Sequence, residues 1–344
     1  EEINFMIQKK KRGKELWKIL TEEYEWWLEQ QLREDNYLQH LIGNIVLMTV
    51  MTFFLSGFPE NWRIISYEKI QAILDKWKLK YTDEEFRFSM FLSETDILQW
   101  ELLGLPRTRH TITNGLLLKI SQRWPIIIDP DHLTEKWLNN TLKQKKLITI
   151  PVTDDKLTKV IVDAVEKGYP VLITRVSDHI DSNLNKLIKK EYFVENDVEK
   201  VNIGEKIVDV HPQFQLIFSS NLDIIAFPSY YQSNMLIINC KSTRESLEDN
   251  LRRMVMTKER SDIDQKTAYV SKKYCETVKL LETNRFSIIK IMLNTDGNIL
   301  EQDSACKSIE KCLEEIRNLL IKKKKLEVMQ RDIKEVNASY MPIA

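Results

Sequence analysis

The sequence predicts an α/β fold, a parallel sheet flanked by helices with long antiparallel helical extensions. Five short apolar runs between residues 124 and 240 alternate with amphipathic stretches. Continuous apolar strands alternating with helices make a parallel sheet that is covered on both faces. Glycine and proline are scarce, 8 and 9 in 344 residues, against a usual share of roughly 7% and 5%. With 30% charged residues, that scarcity favours long helices over an all-β fold. Both flanks of the strand region carry helical periodicity much longer than an ordinary globular helix.

From the start, residues 8 to about 57 read as one long helix or two abutting ones. Trp17, Leu20, Tyr24, Trp27, Leu38 and Leu41 fall on 3-4 spacing, with Gln31 and Glu34 as polar lapses. That is a coiled-coil seam, and an amphipathic helix gives a similar pattern over so few heptads. The seam runs into "LIGNIVLMTVMTFFLSGF", residues 41–58, which is uncharged for eighteen residues. A membrane span needs about 20 predominantly apolar residues. Asn44, Thr49, Thr52, Ser56 and the stop at Pro59 favour a helix buried on most sides in a protein core. Residues 67–94 give two helical segments, with a capping box at Thr82 and Glu85. "LQWELLGLPRTRHTITNGLLLK" then reads as a loop with turns at Leu105-Pro106 and Asn114-Gly115.

The alternation begins at "WPIIIDPDHLTEKWLNN", residues 124–140. Strands are expected at 124–128, 147–150, 170–174, 214–220 and 234–240. Helices are expected at 133–144, 155–168 and 182–190. From Leu247 a helix of about forty residues runs through Leu251, Met254, Val270, Tyr274 and Leu281 to about 290. A turn at Asp296-Gly297-Asn298 follows. The return helix, 305–340, carries Ile309, Leu313, Ile316 and Leu320. Two long helices joined by one turn make an antiparallel hairpin.

Composition excludes several classes. The 51 basic and 51 acidic residues cancel, so net charge gives no case for nucleic acid or an anionic membrane as partner. Cys240, Cys275, Cys306 and Cys312 include no C-x-x-C pair, which suits a reducing compartment without a metal site. The five histidines, His40, His110, His132, His179 and His211, have no i, i+4 pairing. The start lacks an initiator Met and a signal-peptide pattern, so the chain reads as a fragment.

Five parallel strands with the first strand–helix turn at 129–132 match the order of an AAA+ core, and ATP chemistry there needs three things. The first turn should carry a glycine-rich phosphate loop with Lys, yet it reads Asp129, Pro130, Asp131, His132. Asp129 and Asp131 put negative charge where phosphate would sit, and Lys136 is a poor substitute for the phosphate lysine. The third strand should end in acidic residues for Mg²⁺ and water, but Thr174 and Arg175 stand there, with Asp178 and Asp181 too far along. An arginine finger should lie between the fourth and fifth strands, and no Arg occurs between Phe214 and Cys240. Ser219-Ser220-Asn221 could form a polar sensor or simply close a strand. The runs Lys9–Arg12 and Lys322–Lys325 suit either an acidic partner surface or a solvated helix face. No residue is assigned a catalytic, cofactor-binding or metal role. Asp129, Pro130, Asp131 and Lys136 mark a degenerate phosphate loop, and Thr174 and Arg175 a degenerate acidic strand end.

Taken in order, these segments resemble the fifth AAA+ module of the dynein heavy chain family. The resemblance rests on Trp124, Pro125, Ile128, Asp129, Pro130 and Trp137, on "LIGNIVLMTVMTFFLSGFPENWR", and on "LQWELLGLP". It rests further on "VHPQFQLIFSSN", "SLEDNLRRMV", "TDGNILEQ" and "YMPIA". It covers residues 10–344. It implies that residues 1–42 are the base of the stalk coiled coil, 43–240 the large AAA+-like part, and 245–344 the buttress or strut hairpin returning to the ring. Thr174-Arg175 stand where the family has Glu-Asn, "LDIIAFPSYY" replaces its Asn-Pro, and Cys240 and Ser246 replace Phe and Gly. The family reading implies no cofactor in this segment and ATP with Mg²⁺ in other modules. The implied partners are neighbouring AAA+ modules, the stalk, microtubules at its tip and other dynein chains, with no nucleic acid and no membrane. The implied place is the cytoskeleton, in a ciliary or flagellar axoneme or in the cytoplasm. The competing readings are an AAA+ ATPase with an eroded site and a helical scaffold or membrane-anchored protein.

Overall fold

A computed structural model describes residues 2–82, 91–177, 180–223, 227–295, 299 and 302–339. The chain divides into two compact units, one of residues 40–251 and one of residues 1–39 with 252–344.

In the first of these units, strands β1 (Pro125–Ile128), β2 (Ile148–Pro151), β3 (Val171–Thr174), β7 (Leu216–Ser220) and β8 (Leu236–Asn239) form one sheet. Its order is β2-β3-β7-β1-β8, and all pairings are parallel. This is the AAA+-like α/β sheet that the sequence predicts. Ile126 pairs with Phe218 on one side and Ile237 on the other. Both faces are buried, which is why these strands are apolar runs without alternation. Ile126 and Ile128 pack with Ile173 and Phe218 against Ile161 and Val165 of α6 (Leu157–Lys167). Ile127, on the opposite face, packs with Leu172 and Ile238 against Trp137 and Leu138 of α5 (Leu133–Leu142). Leu47, Met51 and Leu55 complete that second layer.

Three corrections concern the elements before the sheet. The stretch expected to be a loop forms two helices, α3 (Glu94–Leu102) and α4 (Arg109–Ile120). Each opens on a reciprocal cap, Ser93 with Asp96 and Thr108 with Thr111, which satisfies donors that no helix can satisfy internally. Asn114-Gly115 is therefore mid-helix, not a turn. Glycine is required there because a Cβ would lie 2.7 Å from the Trp100 ring. The expected capping box at Thr82 and Glu85 extends outside the described residues.

The apolar segment of residues 41–58 continues α1 (Glu2–Val50) into a π-helical turn, Met51–Leu55. It is buried on one side, not on most sides. Leu47, Met48, Met51 and Leu55 face the core, while Ile42, Ile45, Phe53 and Phe54 are exposed. By length and composition alone, Glu23–Leu55 is one helix able to cross a membrane. Its buried Asn44 accepts from the Thr82 N–H at 2.9 Å and from the Thr82 hydroxyl at 3.1 Å. Gly43 lets the chain come this close, since a Cβ would stand 2.3 Å from the Lys80 carbonyl oxygen.

Two further differences lie between β3 and β7. The helix expected over 182–190 shrinks to one 3-10 turn, Ser182–Leu184, and α7 (Asn185–Ile188). After it comes an antiparallel sheet absent from the sequence reading, β4 (Phe193–Glu195), β5 (Val198–Ile203) and β6 (Lys206–Asp209). Its first turn holds Asn196 and Asp197 at φ 55° and 60°, the signature of a tight hairpin. Charged outer faces hid these strands, and only Val201, Ile203 and Val208 are buried.

In the other unit, α10 (Ser261–Leu293) and α11 (Asp303–Ser339) fold back on one another. Leu281 and Ile288 pack against Ile309, Leu313 and Ile316. Burying each such side chain contributes about 1.5–3 kcal/mol. The expected forty-residue helix is broken: α9 (Arg244–Glu259) ends at Arg260, whose φ −133° and ψ 55° leave the helical region. The turn at Asp296-Gly297-Asn298 and the segment "YMPIA" lie outside the described residues. Of the expected seam on α1, Leu20 and Trp27 pack on this pair, whereas Trp17, Tyr24 and Leu38 are exposed. A buried ion pair adds to the packing. The Arg285 Nε donates to Glu23 at 2.8 Å, and its guanidinium lies 3.7 Å from the centre of the Trp26 ring.

Candidate functional site

In open α/β sheets ligands bind beyond the carboxyl ends of the strands, where the strand order reverses. Here the chain leaves β1 for β2 at the far edge and returns through β3 and β7, so the reversal falls at β1. The Asp129 N–H closes this point by donating to the Ser220 carbonyl at 3.0 Å.

The α5 N-terminus faces the same point, and the exposed N–H groups of a helix start attract phosphate. In this chain the Asp129 carboxylate accepts from Leu133 N–H at 3.2 Å and from Glu135 N–H at 2.8 Å. Asp129 has no exposed surface. The helix start that would meet a phosphate is capped by a carboxylate two bonds from the main chain. Asp131 does a second structural job, accepting from Ser242 N–H at 3.1 Å and so tying the end of β1 to the end of β8. His132 takes a left-handed φ of 56° and Lys136 is exposed.

Burial pushes the Asp129 carboxyl up to about 6. A folded pKa above the unfolded value means that the folded state holds the proton more tightly. The stabilising contribution is then complete below the ordinary carboxyl range and is lost as pH rises through about 6. Asp129→Asn cannot titrate, so its stability relative to wild type is expected to rise between pH 4.5 and 7. The relative rise over that interval is on the order of 2 kcal/mol, against about 1 kcal/mol for the one cap acceptor that Asn lacks. Urea unfolding at both pH values reads the slope, and parallel pH profiles would exclude Asp129 as the titrating group.

The other side of the site is closed by Arg63 of α2 (Glu60–Lys76), which is 3% exposed. Its guanidinium donates to the carbonyls of Phe58 at 2.8 Å and Asn239 at 3.0 Å, to that of Ser56, and to the Asn114 side chain at 2.7 Å. Asn114 in turn donates to Asn239 O and meets His110 Nε2 at 3.1 Å. Burial, and then the nearby Arg63 charge, push His110 down to about 3, so it stays neutral. Desolvation lowers Arg63 to about 10. Cys240 lies within the electrostatic reach of both Asp129 and Arg63, and burial raises its thiol to about 12. The remaining space, bordered by Asn114, Thr134, Trp137, Cys240 and Ser246, is about 10 Å³, the volume of about one water.

The third strand ends without acids. The Thr174 carbonyl accepts from Val152 N–H at 2.9 Å, and Arg175 is exposed at φ 58°. Asp181 caps the 3-10 turn through Asn183 N–H at 3.0 Å, while Asp178 and His179 lie outside the described residues. Ser220 donates to Val176 O at 2.5 Å and accepts from Leu222 N–H at 3.1 Å, closing the strand. The residues present do not fit ATP, because the Asp129 carboxylate caps the helix start that would meet a phosphate and Thr174 and Arg175 offer a metal no carboxylate. Sequence reasoning found Asp129 and Asp131 but missed Arg63, which reads as any surface Arg in "PENWRIISY".

Comparisons with known proteins agree with this frame. The chain is 25% identical over 346 residues to human dynein axonemal heavy chain 3, covering 100% of this chain and 8% of that protein. It is 25% identical over 318 residues to the cytoplasmic dynein heavy chain of Dictyostelium discoideum, 92% of this chain and 7% of that protein. With mouse dynein axonemal heavy chain 5 it shares 23% over 338 residues. It thus spans less than a tenth of the length of these relatives. The family described as the ATP-binding dynein motor region matches residues 98–318, more than half of the sequence, and the chain belongs to that family.

Proposed function

We propose that this chain is a non-hydrolysing AAA+ module of a dynein heavy chain. It relays ring movements, driven by ATP at other modules, to the stalk whose tip binds microtubules. The observation that carries the reading is the Asp129 carboxylate seated on the α5 N-terminus at the reversal point of the sheet. The family description names ATP. In this chain the same geometry is spent on packing, and a module that binds no nucleotide moves as a block when its neighbours change shape. ATP and Mg²⁺ act in other modules of the parent protein. Partners are the adjoining modules, the stalk, microtubules and other dynein chains, in an axoneme or in the cytoplasm. The hydrogen-bonded, buried Asn44 supports a water-soluble setting for α1.

Titration of the chain with Mg-ATP tests the reading, and no heat is expected. A dissociation constant at or below about 100 μM, near −5.5 kcal/mol, would overturn it.

A further inference from the structure

A larger cavity opens at the opposite edge of the sheet from the filled site. Its volume is about 370 Å³, and Trp124, Pro125 and Leu216 place it where β1 and β7 begin. That volume lies in the range of ligand pockets. One wall is apolar, with Trp100 and Trp137 in T-shaped contact at 5.4 Å and Leu138 and Ile217 beside them, while Ser121, Thr141 and Gln215 add polar groups to the lining.

The rim is basic. Lys119, Arg123, Lys145 and Lys190 border the cavity with one carboxylate, Asp96. Asp96 is engaged by Lys119 at 3.1 Å. Among the described residues, no carboxylate lies within salt-bridge distance of Arg123, Lys145 or Lys190. Arg123 sits 5.2 Å from the Phe53 ring centre and Lys190 4.1 Å from that of Trp124. The C-terminal ends of α4 and α5 point here, and each carries about half a negative charge. Lys190 also donates to the Gln122 carbonyl, and two such helix ends offset about one of these three cations, so the mouth stays positive. Trp137 stands between this cavity and the small gap at the other edge. It is buried, its indole N–H included.

We propose that this cavity is a docking site for an acidic peptide segment that inserts one large apolar side chain between Trp100, Trp137 and Leu138 and sets carboxylates against Arg123, Lys145 and Lys190. Rigid aromatic walls with a charged rim are the anatomy of a peptide anchor pocket. The occupant is an acidic peptide and not a small anion, because the apolar floor offers a lone phosphate or carboxylate no partner.

The test is fluorescence anisotropy with a labelled twelve-residue peptide carrying one Phe among Glu and Asp. The expected result is saturable binding that weakens at least tenfold with Arg123→Glu/Lys145→Glu and equally when the Phe of the probe becomes Ala. Both substituted side chains are exposed, so the variant folds, which circular dichroism checks. Thr141→Phe, which narrows the cavity from its wall, is expected to abolish binding without changing the charge. The proposal is overturned by absence of binding to the wild type, by equal binding to the charge-reversed variant, or by equal binding of a peptide with Lys in place of every acid. Displacement of the peptide by 1 mM inorganic phosphate would identify a small-anion site and would overturn it as well.

Discussion

Replacing Arg63 by Met is expected to lower the stability of the sheet-bearing unit by about 2 kcal/mol or more. The guanidinium is the donor for three main-chain carbonyls and one side-chain amide oxygen. Asn239 O keeps the Asn114 amide as a donor and Ser56 O keeps the Asn239 N–H at 2.8 Å, so two acceptors, Phe58 O and the Asn114 side-chain oxygen, are orphaned. Each buried orphan costs about 1–3 kcal/mol, while relief from burying a charge returns part of that loss. At a domain size of about 200 residues, 2 kcal/mol moves a melting midpoint by roughly 4–8 °C. Arg63→Lys should fall between the two, because one ammonium cannot reach four acceptors that diverge across a planar fork. Thermal melts of the three proteins decide the matter. A midpoint unchanged in Arg63→Met would mean that water replaces the guanidinium.

The second large effect is expected at Ile316, 1% exposed at the centre of the packing between α10 and α11. Proline there removes an internal helix hydrogen bond and clashes with the preceding turn, for about 3 kcal/mol or more. It also deletes an apolar group from a closely packed seam. Neither long helix is stable alone in water, because each depends on burying its stripe. Under the proposed role, Ile316→Pro in the full motor leaves basal ATP turnover largely intact and abolishes its stimulation by microtubules. Stimulated and basal ATPase rates on wild type and variant read this directly. Full stimulation in a variant whose helix pair is shown by hydrogen exchange to be open would remove the helix pair from the path of communication.

The parts of this fold that could be read from the sequence are those in which one residue type has one cause. Ile126, Ile127 and Ile128 are apolar without alternation because both faces of β1 are covered, and nothing else explains three adjacent isoleucines before an Asp-Pro step. Asp129 and Asp131 stood out because a phosphate loop excludes them. The α3–α4 region was misread because Pro106 and Asn114-Gly115 carry turn chemistry in most settings. Here Gly115 answers to the Trp100 ring, a contact fifteen residues away. The hairpin at Asn196-Asp197 was not read, because charges on either side of the turn hide the strands. Arg63 could not be found at all. A buried guanidinium is recognised by the carbonyls that converge on it, and those come from residues 56, 58 and 239.

The Asp129 cap has an evolutionary consequence. A phosphate seat that has merely lost its lysine can be restored by one substitution. This one cannot, since the helix start is already satisfied by a residue that also closes the strand end. Glycine at Asp129 removes both acceptors of the α5 cap before it gains a ligand. Under the proposed role the block is committed to packing: later changes can tune how it fits its neighbours, and a return to an ATP site must first pass through the loss of this cap.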